Sequence, residues 1–212
     1  MSGAAMGRRR LLAAGSATAA AVVLGACGGD ENPRPDFSPV TTDPARLEGD
    51  LAVAGLLAAM DNLLVSLYAE CLEREAQLGP YPPAVKELFV AVQAHHRDHA
   101  AAWNAVLTGA GKPAVTGVNR TVKTASTDPQ MFRARDTAAV LSVCQDIENV
   151  TALTYLAAIG GMNNNAAIKV AASVHPVENQ HVAVLALLNG RTLPPASFSP
   201  TDGARTLSDT IG

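Results

Sequence analysis

Two short stretches concentrate the side chains able to hold a metal ion or move a proton. "AHHRDHAAAW", Ala94–Trp103, carries His95, His96 and His99, and "VHPVENQH", Val174–His181, carries His175, Glu178 and His181. His96 and His99 are three residues apart, as are Glu178 and His181, so on a helix each pair shares a face. Imidazole nitrogen and carboxylate oxygen are the usual donors to divalent transition metals. Two single acids stand in comparable settings: Glu70 in "LYAECLE" and Glu148 in "CQDIENVTALTY". Any one of these residues, taken alone, is more often a helix-end, snorkelling or hydrogen-bonded side chain than a ligand. Three glutamates and three histidines on the apolar stripes of one core are harder to satisfy, because a buried carboxylate neutralises or finds a partner. Metal ions satisfy them together.

The elements that must position these residues are helical, and no alternating strand pattern is present. Four periodic segments run from about Asp50 to Gln77, Pro83 to Gly109, Arg133 to Gly160 and Asn165 to Asn189, separated by "LGPYPP", "GAGKPAVTG" and "GGMNNN" and ended by "NGRTLPP". Short first and third links predict antiparallel helix pairs. The second link, from about Gly109 to Phe132, is long enough to cross a bundle. Steps of three and four place Met60, Leu63, Leu67 and Glu70 on the first inward seam, and Phe89, Val92, His96, His99 and Trp103 on the second. The third seam is Leu141, Cys144, Glu148, Thr151 and Tyr155; the fourth is Ala171, His175, Glu178, His181 (or Val182) and Leu185. Every predicted helix carries a carboxylate or imidazole on its apolar stripe. The fold class is therefore all-α: a four-helix bundle of two antiparallel hairpins joined by a long crossover, the ferritin-like arrangement.

What precedes the bundle reads as a leader. Residues 1–26 have a basic cluster, Arg8 to Arg10, and then a small, apolar run to Ala26, the pattern of a signal peptide. The consecutive arginines resemble a twin-arginine export signal and also suit an ordinary secretory leader. The run ends in "LGAC", Leu24–Cys27, which resembles a bacterial lipobox, making Cys27 the lipidated first residue of an exported chain held at the extracytoplasmic face of the membrane. A transmembrane anchor is the alternative, but about 15 apolar residues fall short of the roughly 20 a span needs. Residues 27–49 form a Gly-, Pro- and Asp-rich tether, 50–190 the bundle, and 191–212 an irregular tail. Removing the leader's three arginines takes the formal charge from −3 to −6, and an acidic chain without a basic patch argues against a nucleic-acid partner.

With these residues in place, the chain resembles the ferritin-like superfamily, especially its exported bacterial ferritin-like domain proteins. That family puts one Glu on each of the first and third helices and an ExxH pair on each of the second and fourth. The resemblance implies Glu70 and Glu148 as the single acids, Glu178 with His181 as one pair, and His99 as the histidine of the other. His96 stands where the family's second-helix glutamate belongs. A neutral imidazole has one free lone pair and cannot bridge two ions as a carboxylate does, so the site is expected to hold two unequal metals or one. The resemblance and the nitrogen-rich donor set imply a transition metal, iron first, with Mn, Zn or Cu as alternatives. Metal affinity should fall as pH drops through the ordinary imidazole range near about 6.5.

Around that set, His95 replaces His96 if the helix is rotated, and Tyr155, seven residues past Glu148, is placed to hydrogen-bond a ligand or serve as an ordinary core tyrosine. Trp103 reads as packing. Pro176 removes a backbone donor and should kink, bulge or break the fourth helix. Cys71 and Cys144 are a disulfide candidate in an oxidising compartment, or two buried thiols. If Glu70 and Glu148 are level, their offset along the axis is roughly 4.5 Å, tolerable for a bond. Two functions follow: a redox or metal-handling metalloprotein, with an oxidase activity among the readings, or a non-catalytic, membrane-tethered interaction or structural domain whose site has degenerated. No nucleophilic triad, phosphate-binding glycine loop or nicotinamide fingerprint is present in the sequence.

Overall fold

The chain turns where glycine and proline punctuate it. A computed structural model describes residues 47–191, 201–209 and 211; the leader, Cys27 and most of the tether lie outside them. Helix α1 spans Asp50–Glu73 and is followed by a single turn, α2, Glu75–Leu78, and by α3, Pro83–Gly109. The crossover carries α4, Arg120–Val122, a π-helical turn, Lys123–Thr127, and α5, Asp128–Arg133. Helices α6, Thr137–Gly161, and α7, Asn165–Leu188, complete the bundle, and no β-strand occurs among the described residues.

Local chemistry explains the boundaries. Pro83 opens α3 at its first turn, where a missing N–H costs nothing and the fixed φ suits a helix. The Asp136 carboxylate accepts the Ala139 N–H at 2.8 Å and caps α6. Asn164 caps α7 by accepting from Ala166 and Ala167 at 2.8 and 3.2 Å. Gly79 ends α2 at φ 88°, a left-handed backbone that side chains resist.

Long-range bonds set the directions. The Tyr81 hydroxyl donates to the Cys71 carbonyl at 2.8 Å, placing the start of α3 beside the end of α1. Arg74 donates to the Ala134 carbonyl at 2.8 Å, so α6 also starts at that end. At the opposite end, Asp50 at the head of α1 accepts from Asn163 at 2.8 Å, in the link between α6 and α7. Helices α3 and α6 therefore run antiparallel to α1, α7 runs parallel to it, and the crossover travels the length of the bundle. Asn62 donates to the crossover carbonyls of Val115 and Gly117 at 3.0 and 3.1 Å, and Asn104 exchanges two bonds with Val115.

Helix α7 is continuous through Pro176, neither broken nor restarted. The carbonyl it leaves without a helical donor belongs to Ala172, which is exposed, so water can serve it. The described part of the tail is irregular but docked: Arg205 N–H donates to Thr154 at 3.0 Å, Leu207 is buried, and Asp209 accepts from Asn119 at 2.8 Å. Two apolar clusters fill the bundle. One includes Leu64, Leu67, Cys71, Phe89, Cys144 and Ile147; the other includes Ala54, Leu57, Trp103, Tyr155, Ala171 and Val174. A polar belt lies between them.

Candidate metal centre

Each long helix gives that belt at least one side chain. Helix α1 supplies Asp61, α3 His96 and His99, α6 Glu148, and α7 Glu178 and His181. Asp61, His96, Glu148 and Glu178 are 0 % exposed, His181 4 % and His99 9 %, so water does not solvate these charges. Such groups persist in a core only by pairing with each other or with an ion.

His96 sits at the middle. Its Nδ1 lies 2.9 Å from Asp61 Oδ1 and its Nε2 3.1 Å from Glu148 Oε1. His99 Nδ1 is 2.9 Å from Glu178 Oε1 and 3.6 Å from Asp61 Oδ1. His181 Nδ1 faces Glu148 Oε2 at 3.4 Å, while its Nε2 contacts Nδ1 of the exposed His95 at 3.0 Å. That outer contact fixes the ring orientation of His181 from the solvent side. Two tyrosines do the same for the acids: Tyr68 donates to Glu148 Oε1 at 2.6 Å, and Tyr155 donates to Asp61 Oδ2 at 2.6 Å while accepting from the Trp103 indole at 2.6 Å. Trp103 thus packs and also donates. Burial pushes both tyrosine hydroxyls well above their ordinary range, with the adjacent carboxylates adding to the effect, so both remain donors.

The electrostatics of the cluster are those of mutual neutralisation. Burial alone lowers His96, but Glu148, Glu178 and the bonds to Asp61 and Glu148 outweigh it and hold the imidazole well above its ordinary value. Burial likewise lowers His99, and Asp61 with Glu178 raises it to about 9. Burial pushes Glu178 up to about 7 against the pull of His96 and His99. For Glu148 the histidines win: burial raises it, yet His96 and His181 hold it below the usual carboxylate range.

Neutralisation is nevertheless incomplete in its geometry. His99 Nδ1, His181 Nδ1, Glu148 Oε2 and both oxygens of Glu178 are buried without a hydrogen-bond partner. His99 Nδ1 and Glu178 Oε1 are close enough to bond but misaligned for it. Buried atoms of this kind cost free energy unless something else satisfies them. Ligand atoms of Asp61, His96, His99 and Glu178 lie within 4.8 Å of one another, as do those of His96, Glu148, Glu178 and His181. The two groups share His96 and Glu178, and the residues of either could hold an ion. Mixed nitrogen and oxygen donors suit a transition metal.

Of the six ligands expected from the sequence, the structure brings together His96, His99, Glu148, Glu178 and His181. Glu70 is not among them. Its side chain is 40 % exposed and pairs with Arg74 at 3.4 Å, one turn along α1. The carboxylate that α1 contributes is Asp61, nine residues earlier and about 180° round the helix. The stripe of α1 that meets the belt runs Asp61, Leu64, Tyr68 and Cys71, all 0 % exposed; Met60, Leu63 and Leu67 of the expected seam are buried beside it, and Glu70 alone leaves the core. Tyr68 is therefore level with Glu148, where Glu70 was expected. Asp61 and Tyr68 were missed, although one signal was available: Asp61 interrupts "LAVAGLLAAMDNLLV", where an acid has no solvent-facing reason to be. His95 and Tyr155 lie against His181 and Asp61. Cys71 and Cys144 are free thiols whose sulfurs are 3.4 Å apart, not a disulfide.

A family model described as a ferritin-like domain matches residues 49–191, which takes in all four long helices and every residue of the belt. Comparisons with curated proteins and with solved structures give no match.

Proposed function

We propose, from the premise that the chain belongs to the ferritin-like domain family, that it is a lipoprotein of the cell envelope that binds one or two transition-metal ions in the core of its bundle and exchanges electrons through them. Iron is the first candidate, with Mn and Cu behind it, since three carboxylates and three imidazoles form a donor set of intermediate hardness; Zn would fit the same donors but has no redox chemistry, so with Zn only the binding part of the reading would hold. The observation that carries this reading is the set of five buried atoms of His99, Glu148, Glu178 and His181 that have no hydrogen-bond partner, on residues whose ligand atoms fall in two overlapping groups within 4.8 Å. A bound redox-active ion would supply the electron exchange. The chain's own part is to hold it: Asp61, His99, Glu148, Glu178 and His181 as donors, and Tyr68, Tyr155 and His95 as the groups that orient them. His96 faces carboxylates on both sides and serves as a donor or as the fixed positive charge between the two halves. The apolar clusters above and below keep bulk water out.

The "LGAC" leader supports attachment through lipid on Cys27, so that the bundle works at the extracytoplasmic surface. Intact mass of membrane-extracted protein showing an unmodified Cys27 would remove the anchor from this reading. One observation favours the competing, non-catalytic reading: the pairings of His96 let the cluster stand without metal. Chelator-free purification, elemental analysis and melting with Fe(II), Mn(II), Zn(II) and Cu(II) decide between the two. The metal reading expects stabilisation of about 2.7 kcal/mol at a hundredfold excess over the dissociation constant. No metal in the purified protein and a flat response to all four ions would overturn it. If iron binds but its oxidation by dioxygen is no faster than in buffer, the electron-exchange part fails and binding alone remains.

A further inference from the structure

Cys71 and Cys144 play no part in the donor set, yet their placement is unusual for passive core residues. Both are 0 % exposed, their sulfurs are 3.4 Å apart, and they lie on the two helices, α1 and α6, that also carry Asp61 and Glu148. Cys71 follows Tyr68 by three residues and Cys144 precedes Glu148 by four, so one thiol is a turn from a belt acid and the other a turn from the tyrosine that holds it. Those two residues are themselves joined by the 2.6 Å bond from Tyr68 to Glu148. A disulfide needs sulfurs at about 2.05 Å, so closure requires an approach of roughly 1.3 Å, within reach of small side-chain rotations.

Taking the metal reading as its basis, we propose that Cys71 and Cys144 are a two-electron reductant for the adjacent metal centre, closing to a disulfide as a peroxide-class oxidant is reduced there. The balance is complete. Two S–H bonds break and one S–S bond forms, releasing two electrons and two protons; the O–O bond of hydrogen peroxide breaks, takes them up and gives two waters. Direct attack by the thiols on an oxidant from solvent is disfavoured on two counts: neither sulfur is exposed, and burial pushes the Cys144 thiol above its ordinary range, leaving little thiolate. Electron loss toward the neighbouring belt, one helical turn away, does not require the sulfurs to be reached from solvent, and it proceeds with loss of the thiol protons. The same burial shields the thiols from exchange with other thiols and from over-oxidation.

The experiment uses wild-type protein, reduced and then freed of reductant, in metal-free and Fe(II)-loaded forms, with metal content measured on each sample. Hydrogen peroxide is added, free thiols are trapped under denaturing conditions, and the intact chain and its peptides are weighed. The expected result is loss of both thiols with a Cys71–Cys144 cross-linked peptide, reopened by a thiol reductant and formed about tenfold or more faster in the loaded protein than in the metal-free one, because access limits the latter. Equal rates in the two forms, thiols that survive, or oxidation to sulfinic or sulfonic acid would overturn the proposal while leaving metal binding intact. Failure to load metal would overturn both. Cys71→Ala separates the pair from the ligands: it should abolish the cross-link and leave the metal content unchanged, and a loss of metal would overturn the assignment of Cys71 as reductant rather than donor.

Discussion

At the scale of single residues, Asp61 and Glu70 make opposite predictions. Asp61 is fully buried, accepts from Tyr155 at 2.6 Å and faces His96 at 2.9 Å. Asp61→Asn keeps the shape but removes a charge from the donor set and turns one acceptor into a donor facing the imidazole. It should lower metal affinity about 10- to 100-fold, the usual effect of disturbing a ligand or its support, and destabilise the metal-free protein by about 1–3 kcal/mol through mismatched buried partners. Glu70→Gln loses only a surface pairing with Arg74, where the side chain is 40 % exposed; its effect on stability should stay within about 0.5 kcal/mol and metal content should not change. Elemental analysis and thermal melting of the two variants check the assignment. If Glu70→Gln loses metal and Asp61→Asn keeps it, α1 has been given the wrong carboxylate.

At the scale of elements, what was legible depended on how amphipathic each helix is. Helix α3 has a clear polar face, with exposed Arg97 and Asp98 beside buried His96 and His99, so steps of three and four identify its inward stripe. The starts of α3 and α7 were legible, at Pro83 and just after Asn164, whereas α6 begins at Thr137 behind its Asp136 cap, four residues past the expected Arg133, which instead closes α5. Helix α1 has no such contrast. Every residue from Ala52 to Asp61 is buried, and the segment Asp50–Leu78 is long and apolar enough to cross a membrane, with 78 % of its most apolar window buried inside the bundle. Two stripes one residue apart then look equally apolar, and a one-residue error turns the helix by about 100°. That rotation exchanges Asp61, Tyr68 and Cys71 for Met60, Leu67 and Glu70. The register of α1 against α6 is a tertiary fact, set by contacts such as Tyr68 with Glu148 and Cys71 with Cys144. Within α1 only Asp61, an acid in the middle of an apolar run, hints at it. Pro176 is a milder case: its cost was legible, but not that α7 would run on through it, with Ala172, whose carbonyl it leaves without a helical donor, an exposed residue.

At the scale of the whole molecule, the polar belt divides the core into two apolar halves, so its protonation state bears on the stability of the entire bundle. Without metal, the folded protein holds protons that the unfolded chain gives up. His99 keeps its proton up to about 9, against an ordinary value of 6.5, and His96 is also raised well above 6.5. Their contribution is fully present below 6.5 and is lost as pH rises through the folded values. Glu178, raised to about 7 from 4.5, acts in the same direction: ionising it in the folded state costs stability between those limits. Glu148, held below its ordinary value of 4.5, acts oppositely, and its contribution is lost only as the pH falls below that value. Wherever the folded state binds more protons than the unfolded one, stability falls with rising pH, so the metal-free protein should be most stable on the mildly acidic side of neutrality and melt at progressively lower temperature from about pH 6 to about pH 9. A bound ion displaces these protons and takes over their role, so the metal-dependent rise in melting temperature should widen over the same interval. This moves the pH window for binding above the ordinary imidazole range that the sequence suggested. Melting in chelator and in excess Fe(II) or Zn(II) at several pH values tests it, and a metal-free melting temperature that is flat or rises between about pH 6 and 9 would show that His96 and His99 are neutral in the folded protein.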